Sequence, residues 1–153
     1  MERPDWDRYF LNISKVIAER SSCLRNHVGA VIAKDKDIIS TGYNGAPQYQ
    51  KNCLEIGFCY RNKNNITSGT QLERCRAVGS HAESNAISLA ARNGHSTDKA
   101  TIYITGHSNI CNQCKAMIAN ANIVRVVIET LKGEIIEYIP DTDWKTHPID
   151  ENP

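Results

Sequence analysis

The 153-residue sequence contains no apolar run long enough to cross a bilayer, and its first residues, Met1-Glu2-Arg3-Pro4-Asp5, lack the basic start and apolar stretch of an export signal. The expectation is a soluble cytoplasmic protein with no membrane partner. Charge of one sign is equally scarce: 18 Lys and Arg stand against 17 Asp and Glu, a net of +1. That balance gives no general basic field for holding a nucleic-acid polymer, although a local groove stays open. There is no internal repeat and no low-complexity tract, so length and a 41% hydrophobic content describe one domain over residues 1–153. Six cysteines without an export signal point to reduced thiols and metal before disulfides.

What is present gathers in two short stretches. His81-Ala82-Glu83 and Cys111-Asn112-Gln113-Cys114 offer one imidazole, two thiolates and a carboxylate. His81, Cys111 and Cys114 would leave the fourth tetrahedral position of Zn²⁺ open, where a structural site would close it with another Cys or His. Water at that position has a pKa near neutrality, and Glu83 is placed to carry protons from it to a departing amine. Hydrolytic deamination is the chemistry this set performs. The pattern is the established zinc-deaminase signature H-x-E…P-C-x-x-C, with Ile110 standing where the proline is expected. Proline there only presets φ at a helix start, so Ile110 costs order and not metal. A structural zinc knuckle or a chance cysteine pair is the competing reading; a chance pair rarely accompanies His-x-Glu at a helix start.

The rest of the chain places these residues. Asp5 caps a first helix running to about Arg20, its apolar stripe formed by Trp6, Tyr9, Phe10, Ile13, Val16 and Ile17. Residues 28–33 and 38–43 read as a hairpin about Lys34–Asp37. From about 44 to 80 periodicity dissolves into a long insert carrying Cys53, Cys59 and Cys75, with turns at Gly57, Gly69 and Gly79 and a helical turn within 71–76. His81 to Asn93 reads as a helix ended by Gly94, 101–105 as a strand, Cys111 onward as a helix ended by Asn122, and 124–128 as a strand. The link 129–133 is too short for a crossover helix, so the strand at 134–139 should return antiparallel. Residues 140–153 form a polar tail, either loosely ordered or wrapped on a neighbour.

Taken together, Cys23-Leu24-Arg25, Val28-Gly29-Ala30-Val31, Gly42-Tyr43-Asn44-Gly45-Ala46-Pro47, His81-Ala82-Glu83-Ser84-Asn85-Ala86-Ile87 and Cys111-x-x-Cys114 closely resemble the deoxycytidylate (dCMP) deaminases of bacteria and their phages. The resemblance implies an α/β, three-layer cytidine deaminase-like fold: a central mixed five-stranded sheet with helices on both faces. It implies conversion of dCMP to dUMP, and a homo-oligomer, commonly a hexamer, activated by dCTP and inhibited by dTTP with Mg²⁺ accompanying the triphosphate. It implies Asn44 as a sugar ligand and Arg25-Asn26 at the border of the nucleotide pocket. Regulation would fall near Gly42, Tyr43 and Gly45, with Arg92 at a subunit interface. Solvated surface charge is the competing reading for both arginines. Two departures stand out: four residues, Gly106 to Asn109, separate Tyr103-Ile104-Thr105 from Ile110-Cys111 where two are usual, and the helix between the last two strands is missing.

Two other readings stay open. One is a deaminase that edits cytosine or adenine within a polynucleotide; the other is a non-catalytic nucleotide-sensing zinc protein, for which Glu83 would be superfluous. Four cysteines also lie outside the catalytic set, namely Cys23, Cys53, Cys59 and Cys75. Four thiolates complete a closed tetrahedral site, so a second, structural zinc clamping the insert is expected. His27 or His95 in place of one thiol, free buried thiols, or a disulfide are the alternatives.

Overall fold

Helix α1 (Trp6–Ala18) begins where the Asp5 carboxylate accepts the Arg8 backbone N–H at 2.7 Å. Its buried face is Phe10, Leu11, Ser14 and Ala18, with Ile13 and Ile17 alongside, while Trp6, Tyr9 and Val16 stay exposed. The apolar stripe expected from sequence is therefore rotated. Small residues face the sheet because α1 crosses β1 (Gly29–Lys34) at Gly29, where a Cβ would collide with the Ser14 carbonyl oxygen and the Ala18 nitrogen. Ser14 meets its polar needs there, its hydroxyl bonding to the Leu11 carbonyl at 2.7 Å and Thr105 Oγ1 at 3.1 Å.

The computed structural model describes residues 1–147, 149 and 150. Among these, β2 (Asp37–Tyr43) pairs antiparallel with β1, β1 antiparallel with β3 (Thr101–Thr105), β3 parallel with β4 (Arg125–Glu129), and β4 antiparallel with β5 (Ile135–Tyr138). The sheet order is β2-β1-β3-β4-β5. The β1–β2 turn holds Asp35 and Lys36 both at positive φ, 51° and 69°, the paired left-handed conformation of a two-residue hairpin loop. The antiparallel return of β5 follows from its short link, as the length of that link requires.

Alternation along the central strands divides the core. Val31, Ala33, Tyr103 and Val127 meet α1, whereas Ala30, Ile32, Ile102, Ile104, Val126 and Ile128 meet helices α4 (Ala82–Arg92) and α5 (Asn112–Asn120). Each fully buried aliphatic here contributes about 1.5–3 kcal/mol. Charged ties fix α1 across the sheet: Asp7 receives two N–H groups from Arg125, at 2.7 and 2.6 Å, and the Tyr103 hydroxyl at 3.0 Å. Arg8 and Lys15 converge on Glu129 at 2.7 and 3.0 Å.

The insert is not structureless. It holds two single-turn helices, α2 (Cys53–Ile56) and α3 (Tyr60–Lys63), and a 3₁₀ turn at Leu72–Arg74. Asn52 and Glu55 form a reciprocal capping box at α2, which Gly57 closes in the left-handed conformation. The tail also differs from expectation. A short helix α6 (Pro140–Asp143) returns Trp144 onto Tyr138, ring centroids 6.0 Å apart, with Lys115 over its ring. The part of the tail expectation that falls on Pro148 and Glu151–Pro153 lies outside the described residues. No described helix is long and apolar enough to cross a membrane.

Gly42 does for α4 what Gly29 does for α1: a Cβ there would strike the Ala82 carbonyl oxygen and the Ala86 nitrogen. Gly42→Ala is therefore expected to cost about 1–3 kcal/mol through overpacking. Calorimetry should show the midpoint falling by roughly 2–4 °C per kcal/mol; an unchanged midpoint would contradict this backbone-to-backbone contact.

Candidate active site

Both helices on the inner face of the sheet begin at the same place. His81 is the N-cap of α4 and Cys111 the N-cap of α5. The Ser84 hydroxyl accepts the His81 backbone N–H at 3.0 Å and faces the carbonyls of Gly79 and His81 at 3.1 and 3.0 Å, fixing the chain that carries the imidazole. Cys111 Sγ accepts the Cys114 backbone N–H at 3.4 Å, a sulfur acting as helix cap.

His81 Nδ1 lies 3.4 Å from Cys111 Sγ and 3.6 Å from Cys114 Sγ. Zinc bonds of about 2.3 Å to sulfur and 2.0–2.1 Å to nitrogen, at the tetrahedral angle, separate S and N by about 3.6 Å. The three side chains thus fit a zinc ion by geometry as well as by donor type. Among the described residues no other His, Cys or carboxylate group of three brings its donor atoms within 4.8 Å of one another. The thiol hydrogen bond from Cys114, then His81, draws Cys111 down to about 4, and the same bond with burial pushes Cys114 up. The bare pair holds one thiolate readily; a divalent cation is what both would share.

Glu83, 1% exposed, places Oε2 3.8 Å from Cys114 Sγ and Oε1 2.8 Å from His107 Nε2. Burial opposes its ionisation more than any other single influence. The hydrogen bond and charge of His107, a backbone N–H and His81 together outweigh burial and hold the carboxyl below its usual range. This leaves an ionised base beside the ligands. Sequence reasoning misses His107. Its only signal is the lengthened segment Gly106–Asn109, and Gly106 seats that loop by lying against the His27 backbone at φ 105°.

The residues expected to hold substrate lie on the neighbouring edge. Asn44 is buried and laces the α1–β1 loop to β2: its Oδ1 accepts Ser21 Oγ at 2.6 Å and the Val28 N–H at 2.9 Å, and its Nδ2 donates to the Asn26 carbonyl at 2.9 Å. Arg25 instead lines a small cavity of about 30 Å³ between that loop and the insert. Cys23, Cys53, Cys59 and Cys75, none of them in a disulfide, line the same cavity. Burial, followed by Cys59, Cys23 and Cys75, pushes the Cys53 thiol up. The four sulfurs surround the space without reaching ligand spacing. Neither histidine alternative enters it: His95 Nδ1 meets the Ile39 carbonyl at 3.1 Å and His27 lines a different pocket. Gly42, Tyr43, Gly45 and Arg92, expected to be regulatory, do converge on one open groove of about 530 Å³ beside α4.

Comparison with known proteins agrees with this geometry. Residues 4–130 match the family described as cytidine and deoxycytidylate deaminase zinc-binding region. Deoxycytidylate deaminase of Mycobacterium phage D29 is 41% identical over 132 residues, 83% of this chain and 96% of that protein. Its counterpart in Schizosaccharomyces pombe is 35% identical over 128 residues, 84% of this chain but only 38% of the yeast protein. The crystal structure of dCMP deaminase from cyanophage S-TIM5 in complex with dCMP and dUMP superposes with a TM-score of 0.61 at 27% identity, covering 84% of this chain and 83% of that one. With its ligand triad at tetrahedral spacing and its carboxylate alongside, this chain belongs to the zinc-binding cytidine and deoxycytidylate deaminase family.

Proposed function

We propose that this protein deaminates dCMP hydrolytically, dCMP and water giving dUMP and ammonia. The observation that carries the reading is Glu83: a buried, ionised carboxylate held beside three zinc-ligand atoms, which a structural zinc site has no use for. His81 Nδ1, Cys111 Sγ and Cys114 Sγ would hold the metal. Zinc bound there supplies water as a nucleophile at neutral pH. Glu83 would accept one proton of that water and pass it to N3 of cytosine as the oxygen bonds to C4, then carry the oxygen's remaining proton to the amine as the C4–N bond breaks, acting as base and then acid. His107 holds Glu83 Oε1 while Oε2 faces the ligands, so the carboxylate enters the reaction already oriented. Asn44 is the sugar ligand in this reading, with Asn26 bounding the pocket. The named relatives act on dCMP, which favours the mononucleotide over a polynucleotide, and the reaction belongs in the cytoplasm, where free thiols persist.

We also propose control by dCTP and dTTP, with Mg²⁺, at the groove formed by Gly42, Tyr43, Gly45 and Arg92, in a homo-oligomer such as a hexamer. The convergence of these four residues on one open groove apart from the zinc ligands supports it. A second, structural zinc at Cys23, Cys53, Cys59 and Cys75 completes the reading. All four thiols line one cavity, and binding would draw them together and close the insert on the core.

Each element has its measurement. Glu83→Gln is expected to retain the catalytic zinc and lose about 10²–10⁴-fold in turnover, because an amide cannot relay protons; near-normal ammonia release from dCMP would remove the mechanism. Rate against dCMP concentration should be sigmoidal, straightened by dCTP and depressed by dTTP, and curves indifferent to both would end the regulatory reading. Metal analysis should give two metal ions per chain, zinc in both sites on this reading, falling to one in Cys53→Ser/Cys75→Ser; a single metal ion in the unmodified protein would dispose of the clamp.

A further inference from the structure

The cysteine cavity has an electrostatic peculiarity. Besides its four thiols it is lined by Arg25, Arg61, Arg74 and Arg76, and by no carboxylate. Arg74 and Arg76 are exposed and screened by water. Arg61 is only 7% exposed, and its Nη2 donates to the carbonyls of Thr67 and Thr70 at 3.2 and 2.9 Å, while its Nε is buried with no partner. Arg25 Nη1 is likewise buried and unpaired. Among the described residues only one other buried side-chain nitrogen or oxygen, Trp144 Nε1, lacks a partner. Two of three such atoms therefore belong to the lining of a single cavity. A buried, unmet N–H on a guanidinium costs more than one on a neutral group, so acceptors carrying negative charge are what the site lacks.

Neutral thiols are weak acceptors and do not answer that need. Four thiolates around a divalent cation carry a net charge of −2, matched by the guanidinium groups of half-buried Arg25 and buried Arg61, each with one buried, unpaired nitrogen. The four thiols that line this small cavity, about 30 Å³, are donors that suit a soft metal ion and not an oxyanion. One sulfur is already dressed for the purpose: Cys23 Sγ accepts the backbone N–H groups of Arg25 and Asn26, at 3.4 and 3.5 Å. Outer-shell donors of this kind orient and tune metal ligands.

We infer that Arg25 and Arg61 are the counter-charges of a dianionic metal–tetrathiolate centre at this cavity, donating from Nη1 and Nε to its sulfurs. Arg25 then serves the insert's clamp and not the substrate phosphate. The inference rests on the second-metal reading above, and a tetrahedral four-sulfur site accepts zinc or iron.

The test uses the full-length protein as purified, with metal content measured and loss of the second metal followed in a chelator. Arg61→Met and Arg25→Met should each release it about 10–100-fold faster than the unmodified protein, the range expected when an outer-shell partner is lost. The metal held by His81, Cys111 and Cys114 should leave at its original rate, and Arg61→Lys should restore part of the retention. Colourless protein with zinc, or coloured protein with iron, identifies the cation, and either supports the centre. Second-metal release at the unmodified rate in both Met variants overturns the counter-charge assignment while leaving a second metal in place. A tenfold rise in KM for dCMP in Arg25→Met, with both metals held normally, puts that arginine on the substrate and overturns it as well. A single metal in the unmodified protein overturns the reading beneath it, whatever the arginines do.

Discussion

The position of the reactive groups depends on how closely α4 can lie on the sheet. Strand β2 presents Gly42 to the helix, and the helix presents Ala82, Ala86 and Ala90, all buried, so two backbones meet with almost no side chain between them. Ser40 adds a hydroxyl bond to the Ala86 carbonyl at 2.7 Å. Since His81 caps this helix and Glu83 sits in its first turn, the depth of that contact sets where imidazole and carboxylate stand relative to Cys111 and Cys114 on α5. Interiors are packed too tightly for the helix to drift. A metal site tolerant of only about 0.5 Å is thus built on a backbone-to-backbone contact with little room to adjust.

The same geometry accounts for the chemistry of the carboxylate. Two helix N-termini converge on the site, and their unpaired N–H groups favour the negative charge of thiolate and carboxylate. Burial alone would push the Glu83 carboxyl up and disfavour the charged form a base needs, but the His107 hydrogen bond and charge, with a backbone N–H and His81, outweigh it. The imidazole reaches Glu83 from the segment between β3 and α5, which Gly106 seats against the His27 backbone.

Much of this is legible in the amino-acid sequence. Helix and strand periods place every strand of the sheet, Gly94 and Asn122 mark the ends of α4 and α5 with positive φ of 69° and 52°, and the ligand triad is readable from spacing alone. What escapes depends on partners distant in sequence. The α1 stripe points to Trp6, Tyr9 and Val16 because they are apolar, but close approach at Gly29 selects small residues for the contact. The Asp7–Arg125 pair spans 118 positions, and nothing local announces it. Within the insert, Asn52-x-x-Glu55 has the form of a capping box, yet the segment has too few apolar residues to generate a period, and its order comes from caps and from a buried arginine. Hydrophobic pattern is silent about structure held that way.

The insert nevertheless feeds directly into the active site. Cys75 lies six residues before His81, and the intervening chain is bonded inward: Ser80 N–H reaches the Ala77 carbonyl at 2.9 Å, and Gly45 N–H the Ser80 carbonyl at 3.3 Å. On the other side Cys23 starts the loop that Asn44 laces to β2 through Val28 and Asn26. A metal on the four cysteines, as proposed above, would therefore immobilise both walls that meet at Asn44 and Gly45, whereas the zinc ligands draw their own rigidity from Ser84, the α4–sheet contact and the α5 cap. Loss of order in the insert would reach Asn44 and Gly45 before it reached the zinc ligands. The insert and the zinc ligands are thus held by separate physical means, one by caps and a buried arginine in a polar segment, the other by backbone contact in a dry core.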